Sequence, residues 1–174
     1  MGEREIRGSV INGYLKYVEK TWGKAGLETC KKTIKVADIK IKDGEMYTNK
    51  IILELLKWIS ANYGIEKVKQ AGNYTIKNLG LLSYLVRFSS MDSMLSRATD
   101  RFREAYRFGT VGYEMTDHGA RVWMRDVSEI PEDCVGWIGG LQGLMDLTKT
   151  KGQVVKTKCR LKGDKHCEYM LNWK

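Results

Sequence analysis

Two passages near the end of the chain decide how the rest is read. The first is Cys134-Val135-Gly136-Trp137-Ile138-Gly139-Gly140-Leu141-Gln142-Gly143-Leu144-Met145, and the second runs from Val155 through Gly163-Asp164 to Trp173. In the first, Val135, Ile138, Leu141, Leu144, Met145 and Leu147 recur at helical spacing, which predicts a helix over 134–148. A glycine inside a helix costs about 1 kcal/mol relative to alanine. Gly136, Gly139, Gly140 and Gly143 therefore need a reason, either close packing on a sheet or a backbone wall that leaves room for a ligand. The second passage alternates. Val155, Thr157, Cys159 and Leu161 fall on one strand face, and Lys156, Lys158 and Arg160 on the other. A turn centred on Gly163 then sets Cys159 opposite Cys167 on the inner face of a hairpin.

Upstream of the glycine-bearing helix the period is again two. Val111, Tyr113 and Met115 alternate, Asp117-His118-Gly119 turns the chain, and Val122 and Met124 alternate with Arg121, Trp123 and Arg125. Earlier still the spacing is helical. Val10, Ile11, Tyr14, Leu15 and Val18 mark one amphipathic helix, punctuated by Gly23 and Gly26 before a shorter one through Cys30. Tyr47 to Asn62 is a strong helix that Gly64 ends, and a short helix over 65–70 should break at Gly72-Asn73-Tyr74. The run 79–88 is apolar, and Ser89 to Ser93 offers N-caps for a helix reaching about Tyr106. These elements predict an α+β chain: an N-terminal helical layer (about 1–107) packed on an antiparallel sheet of two hairpins separated by a helix (about 108–174). With 174 residues, 43% of them hydrophobic, one ligand-binding domain with its own core is expected.

Several classes of function find no support. No apolar run is long enough for a membrane span, and the first residues have no apolar signal region, so a cytoplasmic location is expected. A net charge of +9 invites a nucleic-acid partner, but the basic residues are mostly interleaved with acids. Only the strand face of Lys156, Lys158 and Arg160 is locally basic, so nucleic acid is not the expected partner. His118 and His166 fall in a turn and on an outward strand face, with no partner that would complete a catalytic triad. There is no phosphate loop and no dinucleotide fingerprint, and an enzyme is not the expected class.

Cys134, Cys159 and Cys167 could bring three sulfurs together. Thiolates suit Zn²⁺, although a structural zinc site wants four ligands and no fourth is evident. The simpler reading is three small apolar side chains packed between helix and hairpin. A disulfide between Cys159 and Cys167 is geometrically conceivable and disfavoured in a reducing compartment. Trp123, Trp137, Leu141 and Tyr169 are the candidate lining of an apolar pocket.

Gly136-x-x-Gly-Gly-Leu-x-Gly, followed by Cys159-Arg160-Leu161-Lys162-Gly163-Asp164-Lys165-His166-Cys167-Glu168-Tyr169, resembles the C-terminal signature of 4-vinyl-reductase-type domains, also called predicted hydrocarbon-binding domains. The resemblance covers roughly Leu95 to Trp173. Its wider kin include haem–NO-binding domains, sensor domains of phenol-responsive activators and small TRAPP vesicle-tethering subunits. It implies an α+β fold, a homodimer, and an apolar small molecule held between helices and sheet. In zinc-bearing members of that kind, a cysteine before the glycine-rich helix, the two hairpin cysteines and an acid hold the metal. Cys134, Cys159 and Cys167 match, whereas Lys156 stands at the acidic position. The Tyr-x-Ser-x-Arg motif of haem–NO-binding proteins is absent, so zinc ranks ahead of haem as the expected cofactor. The leading expectation is a non-enzymatic small-molecule-binding or sensory domain. A dimeric adaptor like the TRAPP subunits and a tetrapyrrole-related reductase or haem-binding protein are the alternatives.

Overall fold

Burial of the N-terminal helical stripes builds the first half of the molecule. The structure, a computed structural model, describes residues 3–78 and 90–173. Strand β1 (Glu5–Arg7) runs directly into α1 (Gly8–Thr33). The predicted punctuation at Gly23 appears as a kink within α1, where φ is 71° and only glycine is unstrained. Two short strands escaped the periodicity: β1 pairs antiparallel with β2 (Met46–Thr48), Ile6 standing opposite Tyr47. Three residues are too few to show a period. Helix α2 (Lys50–Tyr63) ends at Gly64, whose φ of 87° turns the chain into α3 (Ile65–Lys77). Ile6, Ile11, Val18, Leu55, Ile59 and Val68 are fully buried where these elements meet.

Helix α3 does not break at Gly72-Asn73-Tyr74, as the sequence suggests, but continues through them. The reason is tertiary. A Cβ on Gly72 would lie 2.2 Å from the Gly136 carbonyl oxygen, so the glycine marks a helix–helix contact and not a turn. The apolar run 79–88 lies outside the described residues. Helix α4 (Met91–Ala105) follows, capped by Ser90, whose hydroxyl accepts the Ser93 N–H at 3.2 Å.

The second half matches the expected α+β plan. Strands β3 (Thr110–Thr116) and β4 (Gly119–Arg125) form one hairpin, α5 (Pro131–Leu147) crosses, and β5 (Gly152–Lys158) and β6 (Cys167–Trp173) form the other. The sheet is antiparallel, in the order β3-β4-β6-β5. Its inner face carries Ala120, Val122 and Met124 of β4 and Cys167, Tyr169 and Leu171 of β6, all buried.

One strand is phased opposite to expectation. Lys156 pairs with Tyr169 and Val154 with Leu171, which puts both on the inner face, while Val155 is exposed. The register then slips between Lys156 and Lys158. An extra residue, Thr157, bulges out, and side-chain alternation is reset beyond it. Lys158 thus reaches the outer face, where it pairs with Glu168 at 3.0 Å. The predicted continuous basic face of Lys156, Lys158 and Arg160 does not form. Among the described residues no helix is long and apolar enough to cross a membrane.

Candidate functional site

The four glycines of α5 turn one side of the helix into bare backbone, and α3 lies against it. A Cβ on Gly139 would sit 1.9 Å from the Lys69 carbonyl oxygen, and one on Gly143 would sit 3.0 Å from that of Asn73. Close packing therefore accounts for Gly139 and Gly143 with α3 as the partner, not the sheet, while Gly136 and Gly140 also border open space as a backbone wall. Because the backbones approach so closely, the larger side chains of α5 are displaced to its other flank. There Trp137, Leu141 and Leu144 face a cavity of about 530 Å³.

The cavity lies between α4, α5 and the inner face of the sheet, with the N-terminal helices closing one end. A volume of this size suits a ligand of drug or cofactor dimensions. Its walls are mostly apolar: Met94, Leu95 and Ala98 come from α4, and Val122 and Met124 from β4. An aromatic group forms one side. The Phe102 and Tyr106 rings stack with centroids 4.6 Å apart and planes 9° from parallel. Trp137 lies 5.9 Å from Phe102 and 5.6 Å from Tyr106, and Phe108 meets Tyr106 edge-on at 5.6 Å. Arg7, Arg97 and Arg101 stand around the same space, Arg101 in an ion pair with Glu104.

The buried titratable groups of the lining gather in one corner, where Tyr14, Tyr106 and Asp133 meet. Burial raises the Tyr14 and Tyr106 phenols well above the usual range, and the nearby Asp133 carboxylate adds to both shifts. Burial likewise pushes Asp133 up to about 6, against the opposing pull of the Glu129 and Ile130 N–H groups. Folding thus favours the protonated acid, so the native state binds more protons than the unfolded chain between about pH 4 and pH 6. Stability should fall as pH rises through that window and level off above it. Asp133→Asn should abolish the slope and raise stability at pH 7.5 by about 3 kcal/mol, at roughly 1.4 kcal/mol per unit of pKa. Denaturant melts at pH 4.5 and 7.5 check this, and parallel pH profiles for the two proteins would refute it.

Of the residues expected to line a pocket, Trp137 and Leu141 line this one. Trp123 and Tyr169 do not. Trp123 alternates to the outer sheet face and covers Gly112, where a Cβ would come within 2.6 Å of its ring. Tyr169 is on the inner face but lies beneath the start of α5, fully buried beside Cys134 and Ser128. Sequence reasoning missed the α4 wall of Met94, Leu95, Ala98 and Phe102, together with Tyr14, Tyr106 and Asp133. The α4 residues were legible as a helical stripe, but a stripe does not reveal whether it meets side chains or open space.

The three C-terminal cysteines do come together outside the cavity, their sulfurs all within 4.8 Å of one another. Cys134 and Cys167 are buried, and Cys159 is partly exposed. The bulge at Thr157 returns Cys159 to the inner side. It also brings Lys156 inward, so its Nζ donates to Cys159 Sγ at 3.0 Å and lies 5.6 Å from the Tyr169 ring centre. An ammonium group thus stands where a fourth ligand would be needed. Burial alone would raise the Cys159 thiol, but the Lys156 ammonium and the Leu161 N–H hold it below its ordinary value. Burial wins at Cys134, which is raised despite the same lysine. Neither histidine is near the cavity lining: His118 lies in the β3–β4 turn, and His166 contacts Glu168 at 3.6 Å.

No family model and no curated protein matches this chain. Solved structures do. An H-NOX protein from Shewanella oneidensis, in an Fe(II)NO ligation state, is similar with a TM-score of 0.79 and 14% identity, over 97% of this chain and 99% of that one. An Fe(II) unliganded H-NOX protein from K. algicida gives 0.69 and 14%, over 97% of each chain. A further H-NOX structure, from work on haem distortion in that family, gives 0.74 and 12%, over 97% of this chain and 95% of that one. The chain therefore has the H-NOX fold. The expected order of cofactors, zinc ahead of haem, is corrected by this finding. The proteins that share the fold end to end are described by the ligation of an iron and by haem.

Proposed function

We propose that this chain is a small-molecule-binding sensory domain whose ligand occupies the cavity between α4, α5 and the sheet. The ligand is a planar, mostly apolar ring system with acidic edge groups, and haem is the first member of that class to test. The observation that carries this reading is the wall of Phe102, Tyr106, Phe108 and Trp137 beside a space of about 530 Å³, with arginines around it. Aromatic faces gain by offset stacking on a flat ring. Guanidinium groups bind carboxylates in a way lysines do not.

The cavity residues fit haem in size, apolarity and charge. For the iron they offer phenols and thioethers in place of imidazole, since Tyr14, Tyr106, Met94 and Met124 line the space and no histidine does. Tyrosine and methionine are both known haem-iron ligands. When bound, haem supplies an iron centre able to take a diatomic gas. The chain's own residues exclude water from the ring, stack on it and neutralise its edge. Asp133 and the two buried phenols provide a buried protonatable corner.

Titration of the purified protein with hemin, and in parallel with metal-free protoporphyrin, tests the reading. A saturable Soret shift with hemin, a matching tryptophan quench with both ligands and a rise in melting temperature are expected. Absence of all three would overturn it. Quenching by protoporphyrin without a hemin-specific spectral change would retain the ring site and remove the iron from it.

A further inference from the structure

The end of the cavity closed by the N-terminal helices holds a polar atom that the aromatic wall does not use. Thr75 lines the space from α3 and is only 3% exposed, yet among the described residues its hydroxyl has no hydrogen-bond partner. A threonine in or at the end of a helix ordinarily satisfies itself. Thr29, Thr33, Thr99 and Thr148 each donate to the carbonyl four residues back. Thr75 does not, and a buried hydroxyl without a partner costs the empty protein free energy. Other polar groups converge on the same end. Thr75 packs its methyl group against Gly13, where a Cβ would lie 2.5 Å away, and Tyr14 is the next residue of α1. The Tyr14 hydroxyl stands 3.2 Å from where a Cβ on Gly136 would be. Asp133 lies about one turn before Gly136 on α5, and its carboxyl is held in place by the Glu129 N–H at 2.9 Å.

We propose that Thr75, Tyr14 and Asp133 recognise a ring lactam, so that the ligand carries a lactam on one edge and carboxylates on the other, as open-chain tetrapyrroles do. The inference rests on the cavity reading above and narrows its ligand. A lactam sets a carbonyl acceptor beside an N–H donor. The Thr75 and Tyr14 hydroxyls are donors for the carbonyl, and the Asp133 carboxyl is an acceptor for the N–H. A purely hydrocarbon edge at this end would leave the Thr75 hydroxyl unpaired. The spacing of the two recognition ends also fits. Arg7 caps the start of α1 and Tyr14 stands seven residues on, about 10 Å along the helix axis. Both line the cavity, and so does Arg97 of α4. A tetrapyrrole opened at one bridge and folded into a ring has its carboxylates on one side and its lactams on the opposite one. The arginines meet the first edge, the hydroxyls and Asp133 the second, and the aromatic wall stacks on the face between them.

Tryptophan-quench titrations of the full chain with biliverdin and with metal-free protoporphyrin test this. Both probes carry carboxylates on a ring of similar size, and only biliverdin has lactams. Binding of both is expected, with biliverdin tighter by about tenfold or more, because a site built around hydrogen bonds rejects the analogue that cannot make them. Thr75→Val keeps the shape of the side chain and removes its hydroxyl. It should weaken biliverdin by about tenfold and leave protoporphyrin within about twofold. It should also raise the melting temperature of the ligand-free protein, since no hydroxyl is then buried without a partner. Tyr14→Phe should shift the two affinities in the same selective way. Equal affinity for the two probes, or a Thr75→Val loss shared by both, would overturn the lactam assignment and leave the cavity as the ligand site. Binding of neither would overturn the cavity reading itself. The selectivity of the unaltered chain decides the matter even if a variant fails to fold.

Discussion

Gly139→Ala is expected to destabilise the protein by about 3 kcal/mol, the upper part of the range for overpacking. For a chain of this length that corresponds to a fall of roughly 6–12 °C in melting temperature. The added methyl would sit 1.9 Å from the Lys69 carbonyl oxygen, which belongs to the α3 backbone and cannot rotate aside. Relief requires α3 and α5 to separate, and this would loosen Val68 and Ala71 at their contact, both fully buried. Gly140→Ala provides the contrast. Its Cβ would lie 3.4 Å from Ile76 Cγ1, an ordinary contact, so the gain of about 1 kcal/mol in helix propensity should prevail. Two adjacent substitutions of one methyl each should therefore shift stability in opposite directions. Thermal melts read this directly, and a stabilised Gly139→Ala protein would mean that the two helices do not approach as described.

That contrast also marks where sequence reasoning stops. Helical period placed α5 and α4 within a few residues, because each has a long stripe of apolar positions. Alternation placed β3, β4 and β6 for the same reason in period two. The surplus of glycine in α5 signalled a close neighbour but not which one, since a missing side chain has no chemistry by which to choose between a sheet and α3. At Gly72 the same ambiguity produced a predicted break where the helix continues. The phase of β5 was misread because a single inserted residue, Thr157, reverses the alternation beyond it. No local pattern distinguishes an inward Lys156 from an outward one. Its inward position becomes intelligible only when the sulfur of Cys159 and the ring of Tyr169 are in place around it. The cavity was the least legible feature. Trp137 and Leu141 were identifiable as bulky and inward, but Ala98 is remarkable only for what it leaves empty. A void is a relation among elements distant in sequence.

The emptiness at Ala98 permits the second large effect, Ala98→Trp. Ala98 lies on α4 between Leu95 and Phe102 and borders the cavity. An indole there would enter existing space without displacing backbone, burying on the order of 200 Å² of its own surface. If the cavity is the ligand site, affinity for hemin or protoporphyrin should fall at least about a hundredfold, near 3 kcal/mol at 1.4 kcal/mol per tenfold. The ligand-free protein should meanwhile become more stable, by about 1–2 kcal/mol, because filled apolar space replaces a void. These opposite signs are the useful part of the prediction. A substitution that merely damages the fold lowers both affinity and stability. A ligand bound elsewhere would leave affinity unchanged while stability rises. Only occupation of the space between α4, α5 and the sheet makes the ligand weaker and the empty protein stronger. Paired melts and titrations of Ala98→Trp against the unaltered chain therefore locate the site without requiring the ligand's chemistry to be known in advance.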